Sequence, residues 1–240
     1  MSPTETAAII LTGVFIMAMA AVAVQTAENQ RRDRQLHLLA IRNRIRGTEH
    51  LLDSLPAEFQ TQILRTLLIQ TLRTLWISAA KLDRSINAQE QLQKLDELEK
   101  EPFSPPSFPA NQLTLFMDRN TAQRSRSLVR ETAQLIIELK QKNMISFDAA
   151  QQQLMHLKSA YQRCNCDLVL HEAQDMLKNR GPHVAIHRYR TAMMQLRKLN
   201  FDNQLESQVN QLVALIHQLE TTPDEPTSPD SIDSSETVKP

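Results

Sequence analysis

The chain has 240 residues, of which 27 are basic and 27 acidic, so its formal net charge is zero and no basic excess argues for nucleic acid. Only three glycines occur, which excludes a glycine-rich phosphate loop. Leu, Gln, Ala and Arg are abundant while β-branched runs are scarce, so the composition predicts an all-α fold.

An uninterrupted apolar run extends from Ala7 to Val24. Its eighteen residues would span about 27 Å as a helix, close to the hydrocarbon thickness of a bilayer. The residues before it include Glu5 and no Lys or Arg, whereas a secretory signal peptide needs a positively charged start. We therefore expect residues 1–26 to contain a single uncleaved transmembrane helix. A cleaved signal peptide and a buried core helix are the alternatives.

Six arginines follow the apolar run and give it a direction. Basic residues flanking a membrane helix stay on the cytoplasmic side, so we expect the N-terminus outside and the rest of the chain at the cytoplasmic face of the cell inner membrane. The same cluster could attract anionic lipid headgroups, although setting the topology is the simpler interpretation. The six are Arg31, Arg32, Arg34, Arg42, Arg44 and Arg46.

Residues 27–100 are predicted to form a basic juxtamembrane helix, ended by Gly47, and a first helical segment. In that segment apolar residues recur in steps of four and three, which predicts one buried face. Asn87 and Glu90 have the capping-box spacing for a further helix. Residues 101–112 contain four prolines and are predicted to be a linker. The apolar positions are Leu68, Leu72, Leu75, Ala79 and Leu82.

Residues 113–220 are predicted to form a helical-hairpin domain of five helices. Asn120 and Ser146 are expected to cap the first two helices, the third ends at Gly181, and Pro182 begins the fourth. Residues 221–240 are rich in Pro, Ser and acidic side chains and are predicted to be a disordered acidic tail.

Two stretches resemble tetratricopeptide repeats. In HVAIHRYRTAMMQL, Ala185, Tyr189 and Ala192 have the small-x3-aromatic-x2-small spacing of that family's second helix. In TLWISAAKL, Trp76 and Ala79 have its aromatic-x2-small part. The resemblance implies an array of helical hairpins that binds peptides or proteins on a concave face, and it implies no catalytic residues.

The sequence contains one pair of cysteines and one pair of histidines at close spacing, and neither pair predicts a metal site. Cys164 and Cys166 supply two soft ligands where structural zinc needs four, and their apolar helical setting favours core residues. His183 and His187 share a helix face, but Val184 stands where the glutamate of an HExxH motif would be. We therefore expect no metal, no cofactor and no small-molecule substrate, and a protein that is not an enzyme.

These features together predict a non-catalytic, single-pass membrane scaffold that binds another protein, with the lipid bilayer as a further partner. One alternative is a self-associating membrane organiser, in which copies pair through a seam on the last helix. A less favoured alternative is a tethered nucleic-acid binder using Arg124, Arg126 and Arg130. The seam comprises Leu205, Val209, Leu212, Ile216 and Leu219.

Overall fold

The computed structural model describes the backbone of residues 3–83, 85–104, 112–200 and 205–221, with the side chains of these ranges except 3–16, 18, 20 and 23. This part of the chain contains seven α-helices, one short 3₁₀ helix at Ala57–Phe59 and no strands, so the all-α prediction is confirmed. The predicted tail, apart from Thr221, lies outside it. The helices are α1 (Pro3–Ser54), α2 (Gln62–Leu82), α3 (Ala88–Lys100), α4 (Arg119–Gln141), α5 (Phe147–Arg180), α6 (Pro182–Leu199) and α7 (Glu206–Thr221).

Among the described residues, no helix is both long enough and apolar enough to cross a membrane. The predicted anchor from Ala7 to Val24 falls largely outside the residues whose side chains are described, since these begin at Met17 and omit Ala18, Ala20 and Ala23.

The helix α1 is one continuous element of 52 residues. The prediction that Gly47 ends it is wrong, because the helical backbone continues to Ser54. The hydroxyl of the next residue, Thr48, donates to the Arg44 carbonyl one turn earlier, at 2.9 Å. A glycine inside a helix costs about 1 kcal/mol relative to alanine, and the burial of Leu51 and other residues on both sides of Gly47 outweighs that cost.

The region with both cysteines is also one helix instead of two. α5 runs for 34 residues, so four helices, not five, follow the linker in the described part of the chain. No Gly or Pro interrupts residues 147–180, and buried side chains continue along the helix through Leu157, Cys164 and Leu170. Local sequence therefore provides no signal that would end it.

Helix ends were predicted with mixed success. Ser146 Oγ accepts from the Ala149 amide at 3.2 Å, as expected for a cap. The cap of α4 is Asp118 instead of Asn120, because Asp118 Oδ1 accepts from the Thr121 amide at 2.8 Å. At the start of α6, Pro182 occupies the first turn after Gly181, whose φ of 82° is the left-handed conformation that glycine adopts without strain.

The chain divides into two compact units. The first comprises residues 1–107 and 128–157, and within it α2 packs against both α1 and α3. The sequence did not predict that residues 128–157 belong with the N-terminal elements, and the domain boundaries drawn from it stay predictions. The core of this unit is formed by Ile41, Ile45, Ile69, Leu72, Ala79 and Leu95.

The second unit comprises residues 108–127 and those from 158 onward, and within it α6 packs against α7. Its core joins Leu170 of α5 to Tyr189 of α6 and Leu212 of α7. The seam proposed for pairing between copies is therefore already buried against the same chain, and it does not support self-association.

Replacing Leu212 by alanine should lower the free energy of unfolding by about 2–5 kcal/mol, because this fully buried side chain leaves a cavity when truncated. Urea denaturation of the full chain in detergent micelles, followed by circular dichroism, measures the change. Val213 is the matched control on the same helix: it is exposed, so Val213→Ala should change stability by less than about 0.5 kcal/mol. Equal losses in the two variants would contradict the packing of α7.

Candidate protein-binding site

The six arginines of α1 do not form a uniform basic cluster. Arg32 pairs with Glu28 one turn earlier, at 3.2 Å. Arg42 pairs with Asp83 at 3.4 Å and Arg44 pairs with Glu138, partners that lie 41 and 94 residues along the chain. The two last-named arginines therefore join α1 to the rest of the first unit, a role that sequence reasoning missed because both partners are remote.

The remaining three arginines, Arg31, Arg34 and Arg46, are exposed. Arg31 and Arg34 lie on the stretch of α1 between the apolar run and Ile41, the first buried residue among the side chains of the helix that are described. This stretch presents its side chains to solvent, apart from the half-buried Leu38. Basic charge is thus accessible on the side of α1 next to the apolar run.

The residues with repeat-like spacing all lie in hydrophobic cores. Trp76 is half-buried and Ala79 is buried in the first unit. Ala185, Tyr189 and Ala192 are buried in the second, where small residues on α6 and a tyrosine contribute to the core that includes α7. The spacing marks a packed helix face in each unit, and the assignment to true tetratricopeptide repeats stays a prediction.

A buried polar cluster in the second unit was missed by the sequence analysis. Arg163, Asp167 and His171 follow one another at intervals of four on α5, and this spacing places them on one helix face. Arg163 Nη1 donates to Asp167 Oδ1 and Nη2 donates to Gln208 Oε1 of α7, both at 2.9 Å. The spacing of four residues could have indicated that these side chains interact. It could not show that they are buried, because solvent-exposed charges on a helix have the same spacing.

The cluster binds the backbone of a non-helical segment, residues 113–116. Asp167 Oδ2 accepts from the amides of Leu115 at 2.6 Å and Phe116 at 2.9 Å. The Gln208 side-chain amide donates to the Leu113 carbonyl, and His171 Nε2 donates to the Phe116 carbonyl at 3.1 Å. Burial raises the pKa of the Asp167 carboxyl, while the Arg163 charge and the two backbone amides oppose that rise.

Both cysteines are free and buried in the second unit. Burial raises the pKa of the Cys164 thiol to about 12 and that of the Cys166 thiol to about 11. Cys166 Sγ donates to Gln195 Oε1 at 3.5 Å. A small open cavity of about 280 Å³ lies beside this contact, lined by Gln162, Asn165, Cys166, Gln195, Lys198 and Leu199.

The candidate metal residues lie on α6 and the candidate nucleic-acid residues lie on α4. His183 and His187 are exposed on α6, and no group of three potential metal ligands occurs in the ranges that the structure describes. Arg126 donates to Asn165 at 3.2 Å and its guanidinium lies 6.0 Å from the centre of the Tyr161 ring. Arg124 and Arg130 are exposed.

Four exposed apolar side chains lie in the turn between α4 and α5 or on the two helices beside it, and we call them the apolar turn: Ile137, Met144, Phe147 and Met155. The Lys140 ammonium lies 4.2 Å from the centre of the Phe147 ring, and Phe147 is 60% exposed. Exposed aromatic and methionine side chains are typical of protein contact surfaces.

Comparison with protein-family models, curated proteins and solved structures gives no match to the chain.

The buried thiols should react with Ellman's reagent only when the second unit unfolds. A thiol with a pKa of about 12 is ionised in roughly one molecule in ten thousand at pH 8, and only the thiolate reacts. We expect the native chain to react over hours and the urea-unfolded chain to release two equivalents within minutes.

Ser159 is exposed on the same helix and provides the control for this measurement. A Ser159→Cys variant should react at once with one equivalent, while the two native thiols stay protected. Rapid reaction of all three thiols in the folded variant would contradict the burial of Cys164 and Cys166.

Proposed function

We propose that the chain is a non-catalytic, single-pass membrane scaffold whose helical units bind another protein at the cytoplasmic face of the inner membrane. The observation that carries the proposal is the continuity of α1. One helix contains the apolar run, the exposed arginines and the residues that pack into the first unit, so its two ends need different surroundings.

The apolar section of α1 supports a membrane partner. Met17, Met19, Val22 and Val24 are between 62% and 69% exposed. Each large apolar side chain left in water forgoes about 1.5–3 kcal/mol, and these four continue the uncharged run that begins at Ala7. Lipid is the covering that matches an eighteen-residue apolar length.

The exposed arginines support the direction of insertion. At 1.5 Å per residue, Arg31 and Arg34 lie about 10–15 Å beyond Val24, the depth of the headgroup region, and Ile41 lies about 25 Å beyond it. The first unit would then be held clear of the lipid by a helical spacer. This arrangement leaves room for a partner between the membrane and the unit.

The apolar turn supports a protein as that partner. Phe147 and Met155 are eight residues apart on α5, hence on the same helix face, and both are at least 60% exposed. Aromatic and methionine side chains are enriched in protein interfaces, where they contribute most when fully buried. No residue in this surface needs to move in order to be reached.

Cysteine labelling in spheroplasts tests the topology. Thr4→Cys should react with a membrane-impermeant maleimide from outside, because the N-terminus is proposed to face outward. Gln30→Cys should react only after permeabilisation. The native thiols give little background because they are buried. Labelling of position 30 in intact spheroplasts, with protection of position 4, would reverse the proposed orientation.

Photo-crosslinking from native membranes tests protein binding. A photoreactive residue at position 151, exposed one turn after Phe147, should give a discrete crosslinked product. The product should decrease at least about fivefold in a Phe147→Ala/Met155→Ala variant, because truncating the few side chains that carry most of the binding free energy of an interface costs more than about 1 kcal/mol each.

Two controls separate contact from location. Ile77→Ala, which changes an exposed apolar residue of the same unit, should leave the product unchanged. Replacing residues 1–26 by an unrelated membrane-spanning helix should also preserve it. A product that is lost on this replacement, and unaffected by the two truncations, would contradict binding through the helical units.

A further inference from the structure

The main chain of the 113–116 segment makes four hydrogen bonds to side chains of α5 and α7. Two consecutive amides are bound by one carboxylate oxygen of Asp167, and the carbonyls of Leu113 and Phe116 accept from Gln208 and His171. Main-chain groups are the same in every non-proline residue. The four hydrogen bonds would therefore be available to any peptide that follows the same backbone course.

Arg163 holds the two side chains that make three of these bonds, Asp167 and Gln208, in place independently of the segment. Arg163 links Asp167 to Gln208, so the carboxylate and the amide are held from α5 and α7 at a set separation. Asp167, Gln208 and Arg163 are buried, with 0%, 1% and 6% exposure. A buried carboxylate that loses two amide donors is strongly destabilised, so the cluster requires an occupant with adjacent backbone N–H groups.

The segment adds selectivity through two side chains. Leu113 packs against the core of the second unit and Phe116 is buried. Met117, the next residue, is 91% exposed, and Leu115 is only partly buried. The occupant that the cluster fits is thus a non-helical peptide with apolar side chains three residues apart.

We propose that Asp167, His171 and Gln208 form a peptide-binding site that is filled in this chain by residues 113–116, and that a partner binds by presenting a peptide of this pattern in their place. The inference rests on the proposed function for the existence of a protein partner, while the site itself is defined by the chain's own segment. A tethered segment acts at millimolar effective concentration, so it holds the site closed until a competing peptide displaces it.

A peptide with the sequence of residues 112–118, QLTLFMD, labelled with fluorescein, tests the site by anisotropy against the full chain in detergent micelles. Binding should be about tenfold or more tighter to a Leu113→Ala/Phe116→Ala variant than to the unsubstituted chain, because the internal competitor is weakened while the site is intact. A matched peptide with alanine in place of the phenylalanine should bind at least about tenfold more weakly to that variant.

Met117→Ala is the control within the same segment, because this side chain is almost fully exposed. It should leave the peptide affinity of the full chain unchanged. Equal affinity of the peptide for the double variant and the unsubstituted chain, or failure of the peptide to bind the folded double variant, would overturn the proposal.

Hydrogen exchange on the unsubstituted chain provides a second measurement that needs no variant. The amides of Leu115 and Phe116 should exchange through a local opening that is insensitive to low urea, and at least tenfold faster than the Leu212 amide. Exchange of the two amides only on global unfolding would show a fixed structural loop and overturn the proposal.

The two proposals fail separately. Persistence of the position-151 crosslink with no peptide binding would overturn the peptide site and leave the scaffold function standing. Suppose instead that the crosslink is lost in the Ile77→Ala control or on replacement of residues 1–26, while the peptide binds tightly to the double variant. This result would overturn the apolar turn as the contact surface and retain the peptide site.

Discussion

A single helix with two apolar surfaces is the constraint on which the first unit depends. From Ile41 to Leu55 the apolar side chains of α1 and its end are buried by the protein, and from Met17 to Val24 the described ones are exposed. Because the helix is continuous, these surfaces cannot be covered independently. The ion pairs from Arg42 and Arg44 join only the section of α1 with buried side chains to the rest of the unit.

The core of the second unit differs from that of the first because it includes buried polar side chains. Its core accepts an arginine, an aspartate and a glutamine whose mutual hydrogen bonds satisfy part of their polar capacity. Asp167 and Gln208 also bind the backbone of the 113–116 segment. A cluster of this kind is stable only when every partner is present, which explains why a non-helical segment lies firmly against a helical core.

A feature of the fold could be predicted from the sequence when the residues that produce it lie close together along the chain. Leu68, Leu72 and Ala79 were correctly placed on a buried face, and the Ser146 cap was found, because helical periodicity and capping extend over a few residues. The end of α1 was misplaced, since tertiary packing overrides the weak preference of Gly47. Two helices were predicted where α5 is one, although its start after Ser146 and its end before Gly181 were correct. The Arg44–Glu138 pair and the contact of Asp167 with Leu115 join residues far apart in the chain. A single sequence holds no record of such pairs.

The exposed stretch of α1 between Val24 and Ile41 has a rotational consequence. An α-helix turns by about 100° per residue, so the stretch sets the angle at which the first unit faces its surroundings as well as its height. Removing one residue from it would swing the apolar turn by roughly a quarter of a revolution. Removing eleven of its sixteen residues, about three whole turns, would nearly restore the angle while lowering the unit by about 16 Å. An α-helix resists twisting. In a membrane-anchored chain, the number of residues in this stretch therefore determines the direction in which the first unit faces.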